Sequence, residues 1–208
     1  MAHILITAGP TRAYLDDVRY LTNASSGRMA QALARAAVRR GHRVTIVSGP
    51  VAIAFPRAAR LIPVTTTAEM LDACLAVLPG VDGVIAAAAP CDFEPATRVA
   101  GKIQRQGSGL TLRLGSTVDV IATLARRSRA GQWMVAFALE PGADPKRALE
   151  KVTTKRCDLI VVNDVSAIDS TQTAVTVYDR GHARVGARAG TKAQVAGWLV
   201  RLVEKTFA

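Results

Sequence analysis

Aromatic residues make up only 4% of this 208-residue chain, and no basic run is interleaved with them. That scarcity weakens any reading as a nucleic-acid module, which needs ring faces for bases to stack on. Cysteine is sparser still. Cys74, Cys91 and Cys157 are odd in number, widely spaced and without a CxxC or nearby histidine partner. Neither a disulfide framework nor a zinc site is suggested, and a reducing cytoplasm fits. His3, His42 and His182 lack ligand-like spacing, so a protein-bound transition metal is not expected. No apolar run reaches bilayer-spanning length, and the opening Met1-Ala2-His3-Ile4-Leu5-Ile6 enters a strand without the basic and apolar regions of a leader. Acidic residues are also short: 16 against 27 Lys and Arg, a net charge of +11. This excess is compatible with nucleic acid, an acidic membrane surface or small polyanionic substrates, while pairs such as Arg39-Arg40 and Arg126-Arg127 read as solvated helix faces.

Half the residues are hydrophobic, chiefly Ala, Val and Leu, the usual filling between helices and a buried sheet. Short β-branched runs at 4–7, 43–47, 83–86, 133–137 and 158–162 alternate with helix candidates at 26–40, 68–78, 119–129 and 146–155. That alternation predicts an α/β fold, a Rossmann-like three-layer arrangement around a mainly parallel sheet, in a single domain spanning 1–208. Met29, Leu33, Ala36 and Ala37 recur at helical spacing, and Gly41 is placed to end that helix. Two segments break the pattern. Residues 99–114 carry Gly101, Gly107 and Gly109 beside the alternating Leu110-Thr111-Leu112-Arg113-Leu114, which predicts a β-hairpin flap. Residues 174–178 and 183–185 flank Asp179-Arg180-Gly181-His182, predicting a C-terminal β-hairpin, and 191–207 closes the chain as a helix.

Thr7-Ala8-Gly9-Pro10-Thr11-Arg12 follows the first strand, at the carboxyl end where open α/β sheets place their ligands. It is not GxGxxG, and Val47-Ser48-Gly49 after the second strand supplies no acid for ribose hydroxyls, so a nicotinamide dehydrogenase is disfavoured. GxxxxGK[ST] is absent as well. In Thr22-Asn23-Ala24-Ser25-Ser26-Gly27, Ser25 or Ser26 is expected to N-cap the first helix, either as a plain cap or with backbone N–H groups facing an anion.

These segments, read in order with Asp17-Val18-Arg19-Tyr20, closely resemble phosphopantothenate–cysteine ligases. The likeness continues through Ala86-Ala87-Ala88-Ala89-Pro90-Cys91-Asp92-Phe93-Glu94-Pro95, Lys102-Ile103, Asp119, Val135-Ala136-Phe137-Ala138-Leu139-Glu140 and Asp158-Leu159-Ile160-Val161-Val162-Asn163-Asp164-Val165. The resemblance implies a two-step ligation. The carboxylate of 4′-phosphopantothenate attacks the α-phosphate of CTP with magnesium, pyrophosphate leaves, and the amine of L-cysteine then attacks the acyl-cytidylate. It further implies a homodimer with the flap crossing the interface, a place in coenzyme A biosynthesis, and a flavin-dependent decarboxylase, fused or separate, as associate.

By the same resemblance Asn23 holds the acyl carbonyl, and Lys102, Lys151 and Lys155 surround the phosphates, Lys102 from a mobile flap. Ala86, Ala87, Ala88 and Asp92 lie against the nucleotide, and Val118, Asp119, Val120 and Ile121 open a helix in its site. Gly9, Thr11, Ser25, Ser26 and Gly27 form the substrate loop. Phe137 either stacks on the base or belongs to the core. The solvated-face alternative for Lys151 and Lys155, four apart on one helix, gives way to the family pattern. Cys91 reads as a small buried residue, not a nucleophile. Ala13, Ala30, Gln104, Val118 and the 166–173 loop depart from that pattern. The rival functions are a short-chain-type oxidoreductase and a basic nucleic-acid-binding module.

Overall fold

The computed structural model describes residues 1–208 except 106, 108, 169 and 208. Six parallel strands form the centre of an eight-stranded sheet: β1 (His3–Ala8), β4 (Arg43–Ser48), β5 (Arg60–Pro63), β6 (Gly83–Ala86), β9 (Trp133–Leu139) and β10 (Leu159–Asn163). Antiparallel β11 (Gln172–Asp179) and β12 (Arg184–Thr191) extend it on one side, giving the order β12-β11-β10-β9-β6-β1-β4-β5. Two small hairpins stand outside the sheet. One pairs β2 (Arg12–Tyr14) with β3 (Tyr20–Thr22), the other β7 (Phe93–Pro95) with β8 (Leu114–Ser116).

Strand alternation sorts the core into two halves. Ile4, Ile6, Ile85, Val135 and Val161 face one layer, built from α1 (Arg28–Arg39) and α5 (Lys192–Phe207). Leu5, Val84, Met134, Ala136 and Ile160 face the other, built from α2 (Thr67–Val77), α3 (Val120–Arg127) and α4 (Pro145–Lys155). Gly83 is dictated by packing, since a Cβ there would overlap the Trp133 indole, itself stacked on Phe207 at 5.3 Å. No helix among the described residues is long and apolar enough to cross a membrane.

Five of the six parallel strands, the five helices and the C-terminal hairpin lie where the periodicity puts them. Gly41 adopts φ +84° just beyond α1, as a helix-ending glycine should. Two local expectations fail. Neither Ser25 nor Ser26 caps α1; the N-cap is Gly27 in a left-handed conformation, φ +72°, with no side-chain cap. The flap hairpin is not made within 99–114: its strands are 93–95 and 114–116, and among the described residues of 99–113 there is no strand. The alternation in Leu110-Thr111-Leu112 therefore marks an exposed loop, because no surface lies opposite for one face to pack on. β5 went unforeseen. It is a four-residue edge strand with little buried side chain, so no apolar pattern announces it.

Candidate active site

The site grows from the carboxyl ends of β1, β6 and β9. Gly9 and Ala89 are joined by a 2.9 Å backbone bond, and Cys91 N–H donates to Thr11 Oγ1 at 2.8 Å. Thr11 Oγ1 also meets Thr67 Oγ1 at 2.8 Å, and Thr11 is wholly buried. Thr11 therefore fastens the loop after β1 to the segment after β6. Cys91 is buried beneath them, its Sγ 3.3 Å from the Thr11 carbonyl oxygen.

Beside this junction lies a cleft of about 280 Å³. Alternation along the strand end turns Ala86 and Ala88 into it, while Ala87 packs toward the α1 layer. The opposite wall is Val118, Asp119, Val120 and Ile121, where α3 begins. Asp119 Oδ1 accepts from Ala122 N–H at 3.0 Å as the N-cap, so the first turn of α3 points backbone N–H groups at the cleft. Phe137 both lines the cleft and packs on the α1-side core, so its two readings hold together. Asp92 is exposed at the rim.

The three lysines are distributed unequally. Lys155 lines the cleft, with Nζ 3.3 Å from Asp119 Oδ2. Lys151, one turn earlier, is not among the lining residues; its Nζ lies 2.6 Å from Oε1 of the buried Glu140. Lys102 is exposed and also outside the cleft lining. Asn23 stands on the rim, its Nδ2 donating to the carbonyls of Pro90 at 2.8 Å and Ala89 at 3.2 Å. Gly9 and Gly27 are buried beside one another, and each would press a Cβ against Val51. Ser25 and Ser26 are half-buried on the same loop.

Sequence reasoning missed Thr7, Thr117 and Glu140. Thr7 Oγ1 accepts from Ala88 N–H at 3.2 Å, and Thr117 Oγ1 donates to the Cys91 carbonyl at 2.5 Å. Thr117 stands two residues before the helix-capping Asp119, a pattern that could have flagged it. Glu140 carried no such signal, since only the fold brings Lys151 to it.

The first part of the flap loop between β7 and β8 is held by two acids of the β2–β3 turn. Asp16 is fully buried, and Oδ1 accepts from Val18 and Arg19 N–H while Oδ2 accepts from Ile103 N–H and the Arg19 guanidinium. Burial pushes its pKa up, but the N–H donors of Ile103, Arg19 and Val18 together with the Arg19 guanidinium outweigh that and lower it to about 2. Asp17 binds Arg98 and Gly101 N–H, both at 2.8 Å, and Arg98 above all holds its carboxyl below the usual range.

Among the described residues, no group of three His, Cys, Asp or Glu gathers to hold a metal ion. A metal arriving already bound to a triphosphate fits this better than a resident ion, because magnesium keeps phosphate and water ligands and needs few from protein.

A family model described as the DNA/pantothenate metabolism flavoprotein C-terminal domain matches residues 1–207. The coenzyme A biosynthesis bifunctional protein CoaBC of Bacillus subtilis (strain 168) is 45% identical over 166 residues, covering 79% of this chain and 41% of that protein. Its counterpart in Escherichia coli (strain K12) is 41% identical over 167 residues, with 79% and 41% covered. The crystal structure of the C-terminal domain of a coenzyme A biosynthesis bifunctional protein CoaBC superposes with a TM-score of 0.81 at 33% identity, covering 98% of this chain and 96% of that one. The chain thus spans 41% of the length of these two full-length relatives.

Proposed function

Because the chain belongs to the DNA/pantothenate metabolism flavoprotein C-terminal domain family, we propose that it acts as the phosphopantothenate–cysteine ligase of coenzyme A biosynthesis. The observation that carries the reading is the cleft at the strand ends, where small side chains, an open helix N-terminus and Lys155 meet. Ala86 and Ala88 let a nucleotide approach the backbone, with Phe137 against the base and Asp92 at its rim. The α3 N–H groups and Lys155 receive the phosphates, where charge develops as pyrophosphate leaves. Lys155 must exchange Asp119 for phosphate oxygens as CTP enters. Magnesium comes in as part of the nucleotide substrate.

The 4′-phosphopantothenate carboxylate displaces pyrophosphate from the α-phosphorus, forming an acyl-cytidylate. L-Cysteine's amine then attacks the acyl carbon, CMP departs with the bridging oxygen, and the amine loses a proton. Asn23 joins its loop to the segment after β6, where we place that acyl group. With its Nδ2 donating to the carbonyls of Ala89 and Pro90, its Oδ1 is the atom left to meet a substrate unless the side chain turns. It then orients the incoming amine as an acceptor, or swings to donate to the oxyanion. Lys151, paired with Glu140, acts at longer range or after that pair opens. A second copy of the chain, meeting the first through the flap, completes the homodimer, and a flavin-dependent decarboxylase, fused or separate, is the associate.

Cysteine- and phosphopantothenate-dependent pyrophosphate release, followed with each nucleoside triphosphate, tests the proposal. It predicts faster release with CTP than with ATP. Equal or reversed rates would remove the CTP assignment, and no release with any triphosphate would remove the ligase itself.

A further inference from the structure

Lys102 lies on a segment whose neighbours are tied down to an unusual degree. Gly101 is held at both ends of its peptide: its N–H donates to Asp17 Oδ2 at 2.8 Å, and its carbonyl accepts from Asp17 N–H at 2.9 Å. Ile103 is held likewise, its N–H donating to Asp16 Oδ2 at 3.0 Å and its carbonyl accepting from Arg19 Nη1 at 3.0 Å. Upstream, Val99 N–H donates to the Leu15 carbonyl at 2.9 Å, and Arg98 reaches Asp17 and covers the Tyr14 ring at 5.1 Å.

One carboxylate joins two loops here. Asp16 Oδ1 closes its own turn through Val18 and Arg19 N–H, at 2.8 and 2.6 Å, while Oδ2 is given to Ile103 and Arg19 Nη1. A turn that needed only its own closure would use one oxygen. The second oxygen, buried and aimed across at position 103, spends its capacity on the flap.

We propose that Asp16, seconded by Asp17, is a positioning residue that fixes the backbone on both sides of Lys102 and so aims its ammonium group. Lys102 is therefore delivered from a pinned root, and any motion of the flap begins beyond Ile103. The proposal rests on the reading of Lys102 as a phosphate-binding lysine. A lysine stem has four rotatable bonds, so fixing its root narrows where the charge can go, and small misplacements of a catalytic group cost up to about a hundredfold in rate.

Asp16→Asn is the informative substitution. The amide oxygen can still close the turn, while the amide nitrogen in place of Oδ2 faces the Ile103 and Arg19 donors and releases them. Steady-state ligation is measured for the wild type, Asp16→Asn, Lys102→Gln and the double variant. We expect Asp16→Asn to lower kcat about ten- to a hundredfold with a smaller change in KM for phosphopantothenate. In the Lys102→Gln background it should cost less than threefold, because the group it aims is gone. Equal losses in both backgrounds would overturn the proposal, since Asp16 would then act on general stability. Full activity of Asp16→Asn beside an impaired Lys102→Gln would overturn it while sparing Lys102's role. An unimpaired Lys102→Gln would remove that role and the proposal with it. Should Asp16→Asn fail to fold, Asp17→Asn, at an exposed carboxylate, enters the same cycle with the same outcomes decisive.

Discussion

Asn23 shows most clearly what one residue does here. Its Nδ2 ties the rim of the site to the carbonyls of Ala89 and Pro90. In Asn23→Asp those carbonyl oxygens meet a carboxylate, so both bonds are lost and a negative charge stands where the proposed reaction puts the acyl group. We expect kcat to fall by about 10²–10³, as for loss of an oxyanion-hole donor, with the fold intact by circular dichroism. CMP formation measures it; unchanged turnover would leave Asn23 a turn residue. Asp16 gives a prediction in pH. Its folded pKa, about 2, lies below the ordinary 3.8, so its contribution to stability is present above 3.8 and disappears as pH falls through about 2. Denaturant midpoints measured down that range should fall less steeply for Asp16→Asn than for the wild type. Parallel slopes would mean the carboxylate is not held as described. Motifs around Asn23, Ala86 to Ala88 and Asp119 could be read from the sequence because their residue order is distinctive. The partners of Lys151 and Asp16 could not, since Glu140 and Ile103 reach them only through the folded chain.

Among elements, α1 departs furthest from its expected start. Ser25 and Ser26 offered ordinary caps, yet Gly27 takes the position because the chain must turn through φ +72° against Val51 before the helix begins. An alanine there meets both a left-handed backbone and a Cβ 2.9 Å from Val51 Cγ1. Gly27→Ala should therefore lose at least about 1–2 kcal/mol of unfolding free energy, read from urea midpoints at constant slope. An unchanged midpoint would show that the turn relaxes freely. By contrast α2 follows its sequence closely: Thr66 and Glu69 form a reciprocal capping box, so both local and tertiary preferences agree. The parallel strands were legible because burial on both faces leaves a continuous apolar run. Edge strand β5 and hairpin β2–β3 were not, having little buried side chain of their own. The flap misled through alternation alone: a period of two shows which residues could share a face, not that a neighbouring strand exists to receive them.

At the scale of the whole molecule, the excess of 27 basic over 16 acidic residues suits the two anions of the proposed reaction, the nucleotide and phosphopantothenate. The fold gathers one part of that charge, Lys155, at the strand ends, and leaves Lys102 on the pinned first part of the flap loop. A monomer need not present a finished site. Phe93, Leu110, Leu112 and Leu114 on the flap are exposed among the described residues, which favours the homodimer proposed above. Light scattering should give twice the 21.9 kDa chain mass, and a monomeric mass would contradict that proposal.

The central claim is that the carboxylate is activated as a nucleotidylate in this cleft, and isotope transfer reads that step directly. Phosphopantothenate labelled with ¹⁸O in its carboxylate is turned over with CTP and cysteine, and the CMP is weighed by mass spectrometry. The account predicts one ¹⁸O in the phosphoryl group of CMP. Unlabelled CMP, or CDP with labelled inorganic phosphate, would contradict it.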